Sequence, residues 1–433
     1  MKHVLVLFTL LTCSFSFASV IRVTSTGDNG AGTLRDAIDN LVASGDTVII
    51  DVKGEILLQT PITFTSLTNV TVMGPSPKHC SIRPSGTFAG STLFQINSCT
   101  NLKFYHFGFV GNNSGDIHAV TALTNPGPLH FERILFKDFL SLGNGGGIKA
   151  TSSNVRIVAC SFINNDAAKG GGASFTSSTV IIENSTFSGN AATNQGGAVY
   201  VESTTNIQLI HNTFVQNTSP TQPEAYLAGS PTDVTFLQGN AIGNNGTQAQ
   251  FGGGGSFNSG GGNAYRQNSV MDPMFWIPGA GDVSTTSLNF HLKSPILEDG
   301  YGLMYYTIVN PASALINIAP ATTLTKDARM APRILKSSNV SALAPDAGAC
   351  EYTPLRVTLS VGGSGTVGTL PWAVDVAQNF NAVNYIEFDF NTPPVNIAPP
   401  SQISLDGSYI IDGFSQSTSA VPGPALEGAT ALT

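Results

Sequence analysis

Six side chains along the chain could act together on a charged ligand: Lys103, Tyr105, His130, Glu132, Arg156 and Glu183. Lys103, His130 and Arg156 each stand six residues before a phenylalanine, at Phe109, Phe136 and Phe162. Tyr105, Glu132 and Glu183 stand four before Phe109, Phe136 and Phe187. Residues at a shared offset of a repeat share a face, so these six form one surface. Its cations pair with carboxylates and its tyrosine offers a stacking plane, a combination suited to an acidic glycan. A plainer reading is a solvated strand face whose charge pairs contribute well under about 1 kcal/mol each. Glycoside hydrolysis needs two carboxyls about 5–9.5 Å apart. Glu132 and Glu183, two repeats apart, would lie about 9.6 Å from each other on strand spacing alone, which permits that chemistry without pointing to it. His106, Arg133, Ala159, Asn184 and His211 form a third outward column, three before each phenylalanine. His211 has no Asp or Ser at triad-like register and reads as structural. Asp166 and Lys169 read as solubilising residues of a glycine-rich turn. The runs Gly252 to Gly255 and Gly260 to Gly262 lack the Lys-Ser/Thr of a phosphate loop and read as a surface loop. No Cys-x-x-Cys or His pair has zinc spacing, so neither a metal nor a cofactor is expected.

What must position such a face is a repeat. Phe109, Phe136, Phe162, Phe187 and Phe214 are separated by 27, 26, 25 and 27 residues. Seven before each stands Leu102, Leu129, Val155, Val180 or Ile207, and five before each stands Phe104, Phe131, Ile157, Ile182 or Leu209. Three after each comes Asn112, Phe139, Asn165, Asn190 or Asn217, and Ile242 with Asn245 reads as a degenerate sixth copy. Four columns in register over five copies mean a stacked repeat. The apolar–polar–apolar alternation within each copy is strand periodicity. Leucine-rich and tetratricopeptide repeats need leucine or helical spacing that is absent. The spacing therefore predicts an all-β, parallel β-helix, with the phenylalanines piled inside and each worth roughly 1.5–3 kcal/mol on burial. The asparagines are expected at a bend, each bonding backbone and the asparagine of the next coil.

The ends carry other signals. Lys2 followed by the apolar stretch Val4 to Phe17 and the small residues of Ser16-Phe17-Ala18 predicts an export signal over 1–18. Thr33 as N-cap with Asp36 three residues on, and an apolar face of Leu34, Ala37, Ile38 and Leu41, predicts a short helix closing the N-terminal end and stopping at Gly45. Cys80, Cys99, Cys160 and Cys350 are too scattered in a chain of 433 residues to be a disulfide framework. With 11% charged residues, a formal net charge of −8 and no Lys/Arg run, the chain has no electrostatic footprint for nucleic acid. After residue 20 no apolar run is long enough for a transmembrane helix.

Val23-Thr24-Ser25-Thr26 through Gly32-Thr33-Leu34-Arg35-Asp36-Ala37-Ile38 resembles the N-terminal motif of exported bacterial β-helix proteins known as the CSLREA domain, with Gly32 where that family has cysteine. Phe187-Ser188-Gly189-Asn190 with Gly196-Gly197-Ala198-Val199 resembles the repeats of chlamydial polymorphic outer membrane proteins. The series Asp272-Pro273, Ser294-Pro295-Ile296, Asp299-Gly300, Lys326-Asp327, Pro332-Arg333 and Asp346 to Tyr352 resembles the end of choice-of-anchor Q proteins, which are secreted right-handed parallel β-helices. The resemblance spans about residues 21 to 352 and implies fold and export. It supplies no shared catalytic residues. The Asp cluster of calcium-dependent lyases and the paired aspartates of polygalacturonase-like enzymes are not found.

The expected organisation is a signal peptide at 1–18, an N-terminal cap at 19–46, β-helix coils at 47–270 and a C-terminal end region at 271–352. An incomplete second unit follows at 353–433, where Gly368 to Val374 echoes Gly32 to Ile38 and Tyr409 to Ser415 echoes Val70 to Ser76. The expected function is that of a secreted or cell-surface β-helix, adhesin-like or glycan-contacting and not catalytic. A polysaccharide lyase or glycoside hydrolase is the alternative, and a structural spacer in a longer surface array is the second.

Overall fold

The computed structural model describes residues 18–266, apart from 42–43, 204–205, 222–223, 229–233 and 244–250, and shorter stretches between 276 and 412. The chain winds as a parallel β-solenoid of about nine turns with almost no helix. Each turn gives one strand to each of three parallel sheets. A typical turn runs Leu102–Tyr105 in the first sheet, Gly108–Val110 in the second and His118–Leu123 in the third, then returns to the first at Pro128–Glu132. The sheets hold eleven, ten and eight strands in that order.

The repeat columns become the register. Leu102 pairs with Leu129, Leu129 with Val155, Val155 with Val180 and Val180 with Ile207, all inside the tube. The five phenylalanines pair in the second sheet, and Ile242 follows Phe214 as the sixth copy. Asn245 lies outside the described residues. Successive rings are stacked at 5.4, 4.6, 4.5 and 5.2 Å between centroids, within 16° of parallel, and all are shut off from solvent. That interior burial is the main cohesive force between turns.

The bends are built from single left-handed residues. His106, Arg133, Ala159, Asn184 and His211 have φ between 50° and 61°. These five therefore turn the chain between the first and second sheets, which corrects their assignment to an outward strand column. After the second sheet the asparagine column works as expected. Asn165 Nδ2 donates to Asn190 Oδ1 at 2.9 Å, Asn190 Nδ2 to Asn217 Oδ1 at 2.9 Å, and each amide also donates to the carbonyl of the phenylalanine one turn back. Asn112 is exposed and outside this chain of bonds. The ladder ends on a carboxyl, Asn217 Nδ2 donating to Glu224 Oε2 at 2.6 Å. A second ladder, Asn212–Asn240–Asn263–Asp282, lines the other bend. Cys160 sits in that column one step before Ser185, where its sulfur accepts from Ile134 N.

At the N-terminal end Thr33 caps the helix Leu34–Asp39, accepting from Asp36 N, while Asp36 accepts from Gly32 N. Leu34, Ala37 and Ile38 bury against the first strands. The helix stops at Asn40, not Gly45: Asn40 is the C-cap, and its side-chain amide adds a bond to Asp36 O beside the regular backbone one. The expected cap also contains a strand, Val20–Val23, which pairs with Thr47–Ile50 and opens the first sheet. Apart from Ala18, the expected export signal lies outside the described residues.

The glycine runs are not a loop: Phe251–Gly253 and Ser256–Gly261 are strands of the third and first sheets. Described parts of 302–352 lie along the flank formed by the second sheet and its bend. Met304 exchanges hydrogen bonds with Ser161 Oγ, Ala349 N donates to Thr213 Oγ1, and Gly348 N to Gly239 O. The seam beneath holds buried charge: Arg329 pairs with Asp327 at 2.7 Å, and Arg333 pairs with Glu351 at 2.5 Å while also bonding Asn184. His211 is buried here, bonded through Nδ1 to Asp346 O at 3.1 Å, and burial pushes its pKa well below the ordinary value. Further on, Leu355–Val357, Asn384–Phe388 and Tyr409–Asp412 form a parallel three-stranded sheet in that order.

Candidate functional site

The first sheet brings the six expected residues onto its outer face. Lys103 pairs with His130 and His130 with Arg156, so two basic side chains and an imidazole form one row across three consecutive turns. Tyr105, Glu132, Val158 and Glu183 form the neighbouring row. Adjacent members of a row are about 4.8 Å apart by strand spacing. The alternation that buries Leu102, Phe104, Leu129 and Phe131 is what turns the polar residues outward.

The charges on this face are partly matched to one another. His130 Nε2 lies 2.9 Å from Glu132 Oε2, and this hydrogen bond is the main reason the Glu132 carboxyl is held below its ordinary pKa. Arg156 clasps one oxygen of Glu183 through Nε and Nη2, at 3.0 and 2.7 Å. The Tyr105 ring leans on His130 at 5.5 Å, and burial raises its phenol pKa. Lys103 makes no ion pair among the described residues. Glu183 is buried, while the Arg156 side chain is about half exposed. A general acid needs a raised carboxyl pKa at working pH. Glu132 is shifted the other way, and Glu183 is committed to Arg156.

Two further clusters escaped the sequence reading. In the third sheet Tyr200 pairs with Tyr226, and their rings stack at 5.8 Å and 7°. Lys169 donates to Tyr200 Oη at 3.1 Å and lies 4.7 Å above the same ring. Asp166–Lys169 is a strand, paired with Ala191–Gln195 beside the sheet, so these residues are not a solubilising turn. The signal was the 26-residue spacing of the two tyrosines. Asp116, His118 and Ser141 meet in an earlier turn, with Ser141 Oγ 3.1 Å from Asp116 and 3.5 Å from His118 Nε2. His118 is bonded through Nδ1 to Gly145 O, and Gly143 N donates to Ser141 Oγ. His118 and Ser141 are both buried, and the group holds its turn closed without presenting a nucleophile.

Among the described residues no group of three or more His, Cys, Asp or Glu is placed to hold a metal ion. No helix there is long and apolar enough to cross a membrane.

No family model matches the chain, and no curated protein does either. Solved structures of similar shape include a pectin methylesterase in complex with a hexasaccharide, at 10% identity and a TM-score of 0.33, covering 62% of this chain and 90% of that one. The pectate lyase Pel9A matches at 15% identity and a TM-score of 0.40, covering 78% and 98%. A PL6-family alginate lyase matches at 11% identity and a TM-score of 0.23, covering 91% and 67%. What they share with this chain is the parallel β-solenoid, and no family is assigned.

Proposed function

We propose that the protein is an exported, cell-surface or secreted β-helix that holds an acidic saccharide on the outer face of its first sheet without cleaving it. The observation that carries this reading is the row Lys103–His130–Arg156, two basic side chains flanking an imidazole on consecutive turns, with the Tyr105 ring beside them. Binding is favoured over catalysis because both carboxylates of the face are engaged, Glu132 by His130 and Glu183 by Arg156, and the Glu132 carboxyl is shifted away from a proton donor. Basic side chains that recur along the turns meet a polymer whose negative charges recur along its length. The face is half-buried and still open to solvent at Arg156, so affinity should fall as salt rises.

The test is affinity electrophoresis through gels carrying polygalacturonate or a neutral galactan, with a reducing-end assay on the same polymers. Retardation by polygalacturonate alone, lost on Lys103→Ala, supports the reading. Release of reducing ends that disappears with Glu132→Gln would overturn it in favour of a glycoside hydrolase or lyase. Absence of retardation in any acidic polymer would leave the spacer role.

A further inference from the structure

We propose that Lys326, on the flank segment, is a further ligand of the first-sheet face, and that a polyuronate lies there along the tube axis with its sugars in step with the windings. That role for Lys326 rests on the first-sheet reading and deepens it by a residue, a direction and a length.

The direction follows from what surrounds the face. Lys103, His130 and Arg156 hold one position on three successive strands, and Ile181 holds it on the fourth. The row therefore runs across the strands, along the axis. Along the strands the course is closed at one end. Val158, between Glu132 and Glu183 in the neighbouring row, packs against a cluster of Leu303, Tyr305, Ala328, Ala349 and Cys350 with Ala159. Arg133 Nη1 donates to Ala328 O at 3.5 Å, and Asn184 Nδ2 donates to Lys326 O at 2.8 Å. Arg133 and Asn184 are bend residues two windings apart, so the stretch 326–328 follows the bend lengthwise and walls that side of the face. A sugar chain laid along one strand would meet the wall after a single basic residue. A chain laid along the axis passes beside it.

Lys326 stands where the row loses its charge. Ile181 brings none, and Glu183 on the same strand is taken by Arg156. The carbonyl of Lys326 is fixed to Asn184, the residue after Glu183, which roots its exposed side chain at this winding. Neither Lys326 nor Lys103 makes an ion pair among the described residues. Two uncommitted ammonium groups thus mark the ends of the face, three windings or about 14 Å apart by strand spacing, with the Arg156 guanidinium between them. A polyuronate advances by about one such spacing per sugar. Four sugars therefore reach from Lys103 to Lys326 and bring one carboxylate to each winding. A neutral glycan offers nothing to either ammonium.

The experiment is isothermal titration of the full chain with di-, tri-, tetra- and hexagalacturonate, and with a neutral galactan tetramer as control. Affinity should rise with each sugar up to the tetramer and then level. Lys326→Ala should weaken the tetramer about two- to fivefold, the factor that one exposed ion pair supplies. Lys326→Glu should weaken it about tenfold, since repulsion is added to the lost attraction. Lys326→Arg keeps the charge and should bind like the wild type, which a merely structural role for the side chain would not require of the charge-reversed variant's opposite. The backbone bond to Asn184 survives all three changes, and thermal unfolding checks that each variant is folded. Folded Lys326→Glu that binds the tetramer as tightly as the wild type overturns the proposal; if Lys103→Ala still weakens binding, the first-sheet reading stands without it. Affinity already complete at the disaccharide overturns the axial course. A wild type that binds no acidic oligomer, or binds the neutral tetramer equally well, overturns both.

Discussion

Glu224 is fully buried at the end of the asparagine ladder, in the column that earlier turns fill with Gly147, Gly172 and Ala198. One oxygen accepts from Asn217, and the other, Oε1, has no partner among the described residues. Burial pushes its pKa from an ordinary 4.5 up to about 8, the Asn217 bond opposing only part of that. In the unfolded chain the carboxyl ionises as pH passes 4.5, whereas the folded chain keeps its proton until about pH 8. The unfolded state therefore binds fewer protons across this window, and stability is lost as pH rises through it. At about 1.4 kcal/mol per unit, the gap corresponds to at most about 5 kcal/mol above pH 8. Glu224→Gln keeps the shape and the acceptor for Asn217 but cannot ionise. At pH 5 the variant and wild type should agree within about 1 kcal/mol, the scale of one net hydrogen bond. At pH 8.5 the variant should be the more stable by about 2–5 kcal/mol. Urea midpoints across pH 5 to 8.5 give the answer as a difference, which cancels the titration of Asp346 and other buried groups common to both chains. A difference that stays flat over that range would refute the account of Glu224 as a buried neutral acid.

Phe162→Ala opens a hole in the middle of the ring pile and should cost about 3–5 kcal/mol, read as a lowered urea midpoint. Asn190→Ala strands buried donors and acceptors on the turns either side and should cost about 2–4 kcal/mol in the same assay. Arg333→Met leaves Glu351 buried without its partner, at about 3–5 kcal/mol. Limited proteolysis should then cut within 302–352 while fragments of the coil region persist. Thr33→Ala removes the N-cap acceptor for Asp36 N and should lower stability by about 1 kcal/mol, seen as a small shift in thermal midpoint.

The tube was legible because its residues recur. Phe109 to Phe214, the Leu/Val/Ile columns and Asn165 to Asn217 each repeat at one turn of chain, so period alone assigns them to a stack and to its bends. The six residues of the first-sheet face were placed together by the same arithmetic. The left-handed bend residues were harder, because His106, Arg133, Ala159 and Asn184 share a backbone angle and no side-chain chemistry. The flank segment was illegible for a different reason. Met304 meets Ser161, and Arg333 meets Asn184, through contacts 143 and 149 residues apart that occur once each and leave no period. The tyrosine pair did leave one, but it sits in the third sheet, whose spacing drifts with the length of the preceding turn.

In a tube whose windings touch only their neighbours, unravelling can start at either end and travel winding by winding. The described parts of 302–352 change that topology. They reach Arg133 through Ala328, Ser161 through Met304, Asn184 through Lys326 and Gly239 through Gly348, and so span several windings, of which only consecutive ones pair directly. Loss of one middle winding must then disturb the same lengthwise splint as loss of its distant neighbours, and the body should melt as a block instead of peeling.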